Sequence, residues 1–148
     1  MRLSAKGRYA LAATIHMAQE YGNGECITVI SISEKLNISK IYLEQVFSLL
    51  KRGNIVTSIK GALGGYMLTR PPMEITAYDV LLAVETSLFE ETEAVVGQEA
   101  SLIDMAMKSI LFQPLDQAIE ATLKKITLED FSSEVQKAAS DQALMFFI

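Results

Sequence analysis

The sequence predicts a mainly α chain with one small β-hairpin: a winged helix-turn-helix followed by a long dimerisation helix. Three observations carry this reading. Two helical stretches flank the three-residue turn Asn37-Ile38-Ser39, a glycine-rich hairpin pattern follows directly, and residues 99–126 hold a long run of apolar positions at helical spacing.

Ser4 is placed to cap a first helix through Ala10-Leu11-Ala12-Ala13-Thr14-Ile15-His16-Met17-Ala18, and Gly22-Asn23-Gly24 stops it. The next stretch, "CITVISIS", has the β-branched content of a strand. Ile32 and Leu36 nevertheless suit a short helix that begins after Thr28, and helix fits the turn behind it. Ser39 caps the second helix of the pair, which runs to about Arg52 before Gly53. Within it Leu43, Val46, Phe47 and Leu50 form one stripe for burial. The opposite face carries Ile41, Gln45, Ser48 and Arg52, with Tyr42 and Glu44 on its shoulders.

Residues 54–60 and 66–70, rich in β-branched or aromatic side chains, read as strands around "KGALGGYML". A phosphate-binding loop would end in Gly-Lys-Ser/Thr and open a helix. Here Gly64-Gly65 lead into Tyr66, and Pro71-Pro72 follow, so the glycines form a hairpin tip. Thr76-Ala77-Tyr78-Asp79 has the form of a capping box and opens a helix through Val84 and Glu85. Residues 87–98 form an acidic linker, and Pro114 must kink or interrupt the long helix of 99–126. A second capping box, Thr127-Leu128-Glu129-Asp130, starts a polar helix that fades into an apolar tail. The expected organisation is therefore a DNA-binding domain over 1–86, the linker, the dimerisation helix, and a C-terminal helix and tail over 127–148.

Charge is unevenly spread in a chain whose net charge is −5. Nine Lys/Arg face four acids through Arg70, whereas four lysines face fourteen acids beyond it. A basic half suits a polyanion; two solvated faces of one domain would show the same asymmetry. No apolar run approaches the ~20 residues of a spanning helix, so no membrane partner is expected. The N-terminal residues lack the apolar core of a secretory signal, and a single cysteine suits a reducing cytoplasm.

No catalytic constellation is visible, and no enzyme is expected. His16 lies mid-helix and reads as a packed residue rather than a base or ligand. Cys26 is either a small core residue or a redox-sensitive thiol. The run Glu90-Glu91-Thr92-Glu93 reads as a solvated loop rather than a cation site. The helix-turn-helix carries more. Base edges in the major groove present donors and acceptors, so Gln45 can pair with adenine, Glu44 can accept from cytosine, and Ser48 can contact base or backbone. Lys6, Lys40, Lys51 and Arg52 would neutralise phosphate, Arg2 and Ser4 are further DNA-binding candidates, and Gly61, Gly64 and Gly65, with Lys60 at their shoulder, let the hairpin approach a groove.

Met1-Arg2-Leu3-Ser4-Ala5-Lys6-Gly7-Arg8-Tyr9-Ala10, Ile38-Ser39, Tyr42-Leu43-Glu44-Gln45, Lys60 to Leu68, Ile75-Thr76, Asp79, Val84-Glu85 and Ile126 to Asp130 together resemble the bacterial Rrf family of regulators, over nearly the whole chain. The resemblance implies a homodimeric repressor that binds double-stranded DNA at an inverted repeat. It implies that Ile41, Glu44 and Gln45 face bases, Ser39 and Tyr42 the backbone, and position 60 the minor groove. It places the dimer contact on the long helix, for which Leu102, Met105, Ile119 and Leu123 are the candidates. The iron–sulfur members carry three cysteines in the segment corresponding to residues 87–108; none stands there here, so no cofactor is expected. Lys60 replaces a more usual arginine, Ser33 a common alanine, and Thr86 a usual glycine. Among cluster-free members the chain resembles the repressors of cysteine metabolism, in the lone cysteine near position 26 and the Met145-Phe146-Phe147-Ile148 ending. That ending either packs on the dimer or is captured by a partner, for which the resemblance suggests cysteine synthase. A protein-interaction module docking through its tail, or a thiol redox-sensing regulator, are the alternative functions.

Overall fold

The computed structural model describes residues 1–24 and 26–146. Helix α1 (Ala5–Gln19) starts at Ser4, whose hydroxyl oxygen accepts from the Gly7 N–H at 3.1 Å. Its inner face is small, with Ala10 and Ala13 fully buried beside Met17, which lets other helices approach closely. Thr14 is satisfied in this core because its hydroxyl donates to Ala10 O at 2.8 Å. The ambiguous stretch divides: Ile27 bridges Tyr66 as a strand residue would, and α2 (Val29–Leu36) begins where the Thr28 side chain accepts from Ser31 N–H, ending at Asn37 with φ 54°. Helix α3 (Lys40–Arg52) follows Ser39 and buries Leu43, Val46, Phe47 and Leu50 at 0 % exposure, the stripe that the spacing selects.

Strands β1 (Val56–Ile59) and β2 (Gly65–Leu68) pair antiparallel, with Val56 opposite Leu68 and Ile59 opposite Gly65. They are shorter than residue type suggests. Asn54 sits at φ 59° and the Ile55 N–H returns to Leu50 O, so this end belongs to the turn that closes α3. At the other end Thr69 and Arg70 brace the hairpin root. Thr69 Oγ1 donates to Asn54 O at 2.8 Å, and the Arg70 guanidinium reaches Asn54 O, Glu74 O and the Asp79 carboxylate.

Helix α4 (Ala77–Val84) opens with the reciprocal capping box of Thr76 and Asp79. No helix or strand occupies residues 85–97. Helices α5 (Ser101–Met107) and α6 (Gln113–Lys124) are joined by a π turn, Lys108–Phe112. This turn absorbs Pro114: the ring removes a donor, the helix widens, and the Gln113 N–H reaches Lys108 O five residues back. Helix α7 (Leu128–Phe146) begins with Thr127 and Asp130 exchanging hydrogen bonds and keeps helical form through Phe146 instead of fading. Its first turn closes on the N-terminal helices, since Leu128 is fully buried and donates to Ile75 O while Ala77 N–H donates to Ile126 O. The core thus lies between α1, α3, α4, the hairpin root and the start of α7.

Candidate nucleic-acid interface

With one face of α3 committed to the core, its outward face is fixed. Ile41 is 71 % exposed, and Glu44, Gln45, Ser48, Lys51 and Arg52 are exposed beside it. A shallow concavity lined by Lys6, Ile41, Glu44, Gln45, Ser48 and Leu49 joins the first turn of α1 to this face. Glu44 is not free of charge neighbours. Lys40 Nζ lies 3.7 Å from its carboxylate, one turn earlier on the same helix and half-exposed, so the pair can open to phosphate and base alike. Tyr42 is half-buried and packs edge-on against Tyr9 at 5.1 Å, and its N–H meets the capping Ser39 hydroxyl. That contact fixes the start of α3 against α1.

The first residues divide in role. Arg2 is exposed. The Ser4 hydroxyl, by contrast, is engaged within the chain: it donates to Glu85 Oε1 at 2.5 Å while accepting from Gly7 N–H. Glu85, which sequence reasoning left without a site role, therefore pins the N-terminus of α1 to the end of α4. No local pattern signals a contact 81 residues apart.

In the hairpin, Lys60 and Gly61 are exposed, Gly64 and Gly65 half-buried. Gly61 takes φ 116°, a left-handed value that glycine tolerates. Gly64 serves the chain itself, because a side chain there would strike the Ile59 and Gly61 carbonyls. Between them Leu63 stands 93 % exposed, a tip residue that the sequence pattern did not single out.

Away from this surface, His16 and Cys26 share a cleft of about 340 Å³ with Glu20, Asn23, Thr28 and Ser31. Cys26 is half-buried there rather than part of the core. His16 is half-buried too; burial pushes its pKa below the ordinary value, against the opposing pull of Glu20. On the long helix Leu102 and Met105 are 77 % and 64 % exposed, whereas Ile119 and Leu123 are half-buried around a hollow beside Met1. Met145 and Phe146 are exposed at the end of α7, and Phe147 and Ile148 lie outside the described residues.

A short helix, a turn, an outward polar helix and a braced hairpin together are the parts of a DNA reader, and the comparisons agree. The Rrf2 family, described as "Iron-dependent Transcriptional regulator", matches residues 3–134. The chain belongs to the Rrf2 family of transcriptional regulators. The HTH-type transcriptional regulator CymR of Bacillus subtilis is 34 % identical over 148 residues, covering 100 % of both chains. The structure of CymR, described as the global cysteine regulator of B. subtilis, superposes with a TM-score of 0.74 at 34 % identity, over 90 % of this chain and 98 % of that one. The HTH-type transcriptional regulator IscR of Photorhabdus laumondii is 34 % identical over 144 residues, 96 % of this chain and 87 % of its own. The Rrf2 relatives are regulators, and the mainly helical fold with its two-stranded wing is theirs.

The family description names iron, so the donor set matters. A thiolate-ligated cluster needs several cysteines, and this Rrf2 chain has one, Cys26. Among the described residues no three His, Cys, Asp or Glu side chains are grouped to hold a metal ion. Residues 87–108 supply Glu91, Glu93 and Asp104 beside Lys108, whose ammonium approaches Glu91 at 4.0 Å. The residues present do not fit an iron–sulfur group.

Proposed function

We propose that this Rrf2 regulator acts as a homodimeric repressor on an inverted-repeat operator in the cytoplasm, without a cofactor, and that its targets belong to cysteine and sulfur metabolism. The outward face of α3, with Gln45, Glu44 and Ile41 exposed at its centre and Lys6 at its edge, is the observation that carries the reading. Such a face offers a carboxamide and a carboxylate for base edges and flanking ammonium groups for phosphate. Full-length similarity to the global cysteine regulator of B. subtilis supports the choice of targets. Exposed Leu102 and Met105 on α5 support pairing through the long helix, since a second copy would cover them. Genomic fragments selected by the purified protein test the proposal: enrichment of promoters of sulfur genes is the expected result, and enrichment of none contradicts the choice of targets.

A second reading adds a protein partner. Leu144, Met145 and Phe146 are 62 %, 76 % and 90 % exposed at the end of α7, and an apolar helix end of this kind suits capture by cysteine synthase. Deleting Met145 to Ile148 should abolish co-elution with the synthase and leave the dimer's Tm nearly unchanged. A lowered Tm with co-elution intact would instead assign the segment to the dimer.

A further inference from the structure

We infer that Leu63 is a minor-groove wedge: when α3 docks in the major groove, the wing tip drives this side chain between adjacent base pairs and bends the operator. The inference rests on the DNA-binding reading above. Leu63 is 93 % exposed, while every large side chain of the hairpin's inner face is at least half-buried or, like Leu68, in the core. A leucine held in water at a loop tip gains free energy on any contact that covers it. The tip is also stiff. Residues Gly61-Ala62-Leu63-Gly64 form a turn closed by Gly64 N–H donating to Gly61 O at 3.0 Å, and the space a Gly64 side chain would take is filled by the Ile59 carbonyl. An ordered turn delivers its side chain in one direction, with little entropy left to lose.

The tip is tied to α3 rather than hinged from it. The Tyr66 ring in β2 lies 4.7 Å from the ring of Phe47, the buried anchor of α3. Ile27 pairs with Tyr66 on the outer edge, and Thr69 and Arg70 fix the root to Asn54. Placing α3 therefore places Leu63.

Charge selects the partner. No acid occurs between Glu44 and Glu74, whereas Lys51, Arg52, Lys60 and Arg70 all fall in that span. Of the hairpin's large apolar side chains only Leu63 and, at 44 %, Ile59 are exposed, a patch too small for a stable protein contact, whereas the Leu63 side chain suits a base step and a thin glycine-containing tip can enter a groove about 6 Å wide. Apolar side chains inserted this way partly unstack a step and kink the duplex toward the major groove.

The test uses the full-length protein with fragments selected from genomic DNA. End-to-end fluorescence energy transfer reads bending, and 2-aminopurine placed under the wing reads unstacking. Wild type should bend the fragment and raise 2-aminopurine emission. Leu63→Ser should keep the major-groove footprint of α3, straighten the DNA, lose the emission change and weaken binding about tenfold. Leu63→Met should retain the bend. Lys60→Ala should lower the salt dependence of binding without straightening the fragment. Unchanged bending and emission in Leu63→Ser overturns the wedge, as does straight DNA in the wild-type complex. Failure of the wild type to select any DNA removes both the wedge and the reading beneath it.

Discussion

Gln45 and Lys51 stand on the same helix, both exposed, and the proposed DNA contact gives their side chains different tasks. A carboxamide can exchange two hydrogen bonds with adenine; an ammonium meets phosphate wherever it occurs. Replacing Gln45 by Ala should cost ~1–3 kcal/mol and relax preference at one base position, while Lys51→Ala should weaken all sequences to a similar degree. Competition binding against operators varied one base at a time checks this. His16 makes a different residue-scale prediction. Burial lowers its folded pKa, so the unfolded chain binds the proton more readily. Its contribution is constant above the ordinary histidine pKa near 6.5 and turns destabilising as pH falls through it. Denaturant melts between pH 8 and pH 5 should show a shallower acid loss in His16→Gln than in wild type. The residues of the α3 face were legible in sequence because a 3.6-residue period assigns every side chain to a face. Leu63 was not, because a single exposed leucine in a turn belongs to no period, and Glu85 was not, because its partner Ser4 is remote in sequence.

Elements were legible where caps mark them. Thr28 starts the helical part of "CITVISIS", since its side chain accepts from Ser31 N–H, while Ile27 before it pairs with Tyr66 of the wing. Both capping boxes formed for the same reason. Pro114 was legible only as a disturbance. A proline removes one donor, but whether a helix kinks, breaks or widens depends on its neighbours, and here a π turn carries the chain through. Wing and α3 are joined through Phe47, which is fully buried and packs its ring against that of Tyr66, tilted by 44°. Phe47→Ala should therefore cost about 3–5 kcal/mol of stability. At a temperature where the variant remains folded, the loss of packing should also loosen the wing, visible as faster amide exchange across β1 and β2. Exchange unchanged in the hairpin but faster in α3 alone would separate the two elements. Asp79 couples elements too, accepting from Thr76 N–H and from Arg70 at 3.2 Å. Asp79→Ala removes a helix cap and a brace of the hairpin root together.

At the scale of the molecule, the closure of α7 on the N-terminal helices had no sequence signal. Thr76 bridges Thr127 and Leu128 completes the core, contacts that only the folded chain brings together. The charge asymmetry was visible from the start, and the fold gives it a place: Lys6, Arg8, Lys40, Lys51, Arg52 and Lys60 lie on α1, α3 and the wing, while fourteen of the eighteen acids follow Arg70. A net-negative half disfavours approach to phosphate, which suits the protein contact proposed for it. The exposed apolar side chains of α5 and the Ile119–Leu123 hollow make the long helix the proposed contact with a second copy. Leu123→Asp should yield monomers by sedimentation and lose operator affinity, because two half-sites then bind without linkage. A persistent dimer would move the interface elsewhere.

Two-fold pairing of such readers makes a geometric demand on DNA, with recognition helices about one helical turn apart on an inverted repeat. The most direct measurement is selection of genomic DNA by the purified protein, followed by footprinting of the enriched fragments and repetition with Gln45→Ala. The expected outcome is a shared inverted repeat, half-sites centred roughly 10 bp apart or at a multiple of that spacing, with Gln45→Ala losing preference at one symmetric pair of positions. Fragments without a common sequence, or a Gln45→Ala variant that selects the same repeat with equal stringency, would contradict base reading by α3.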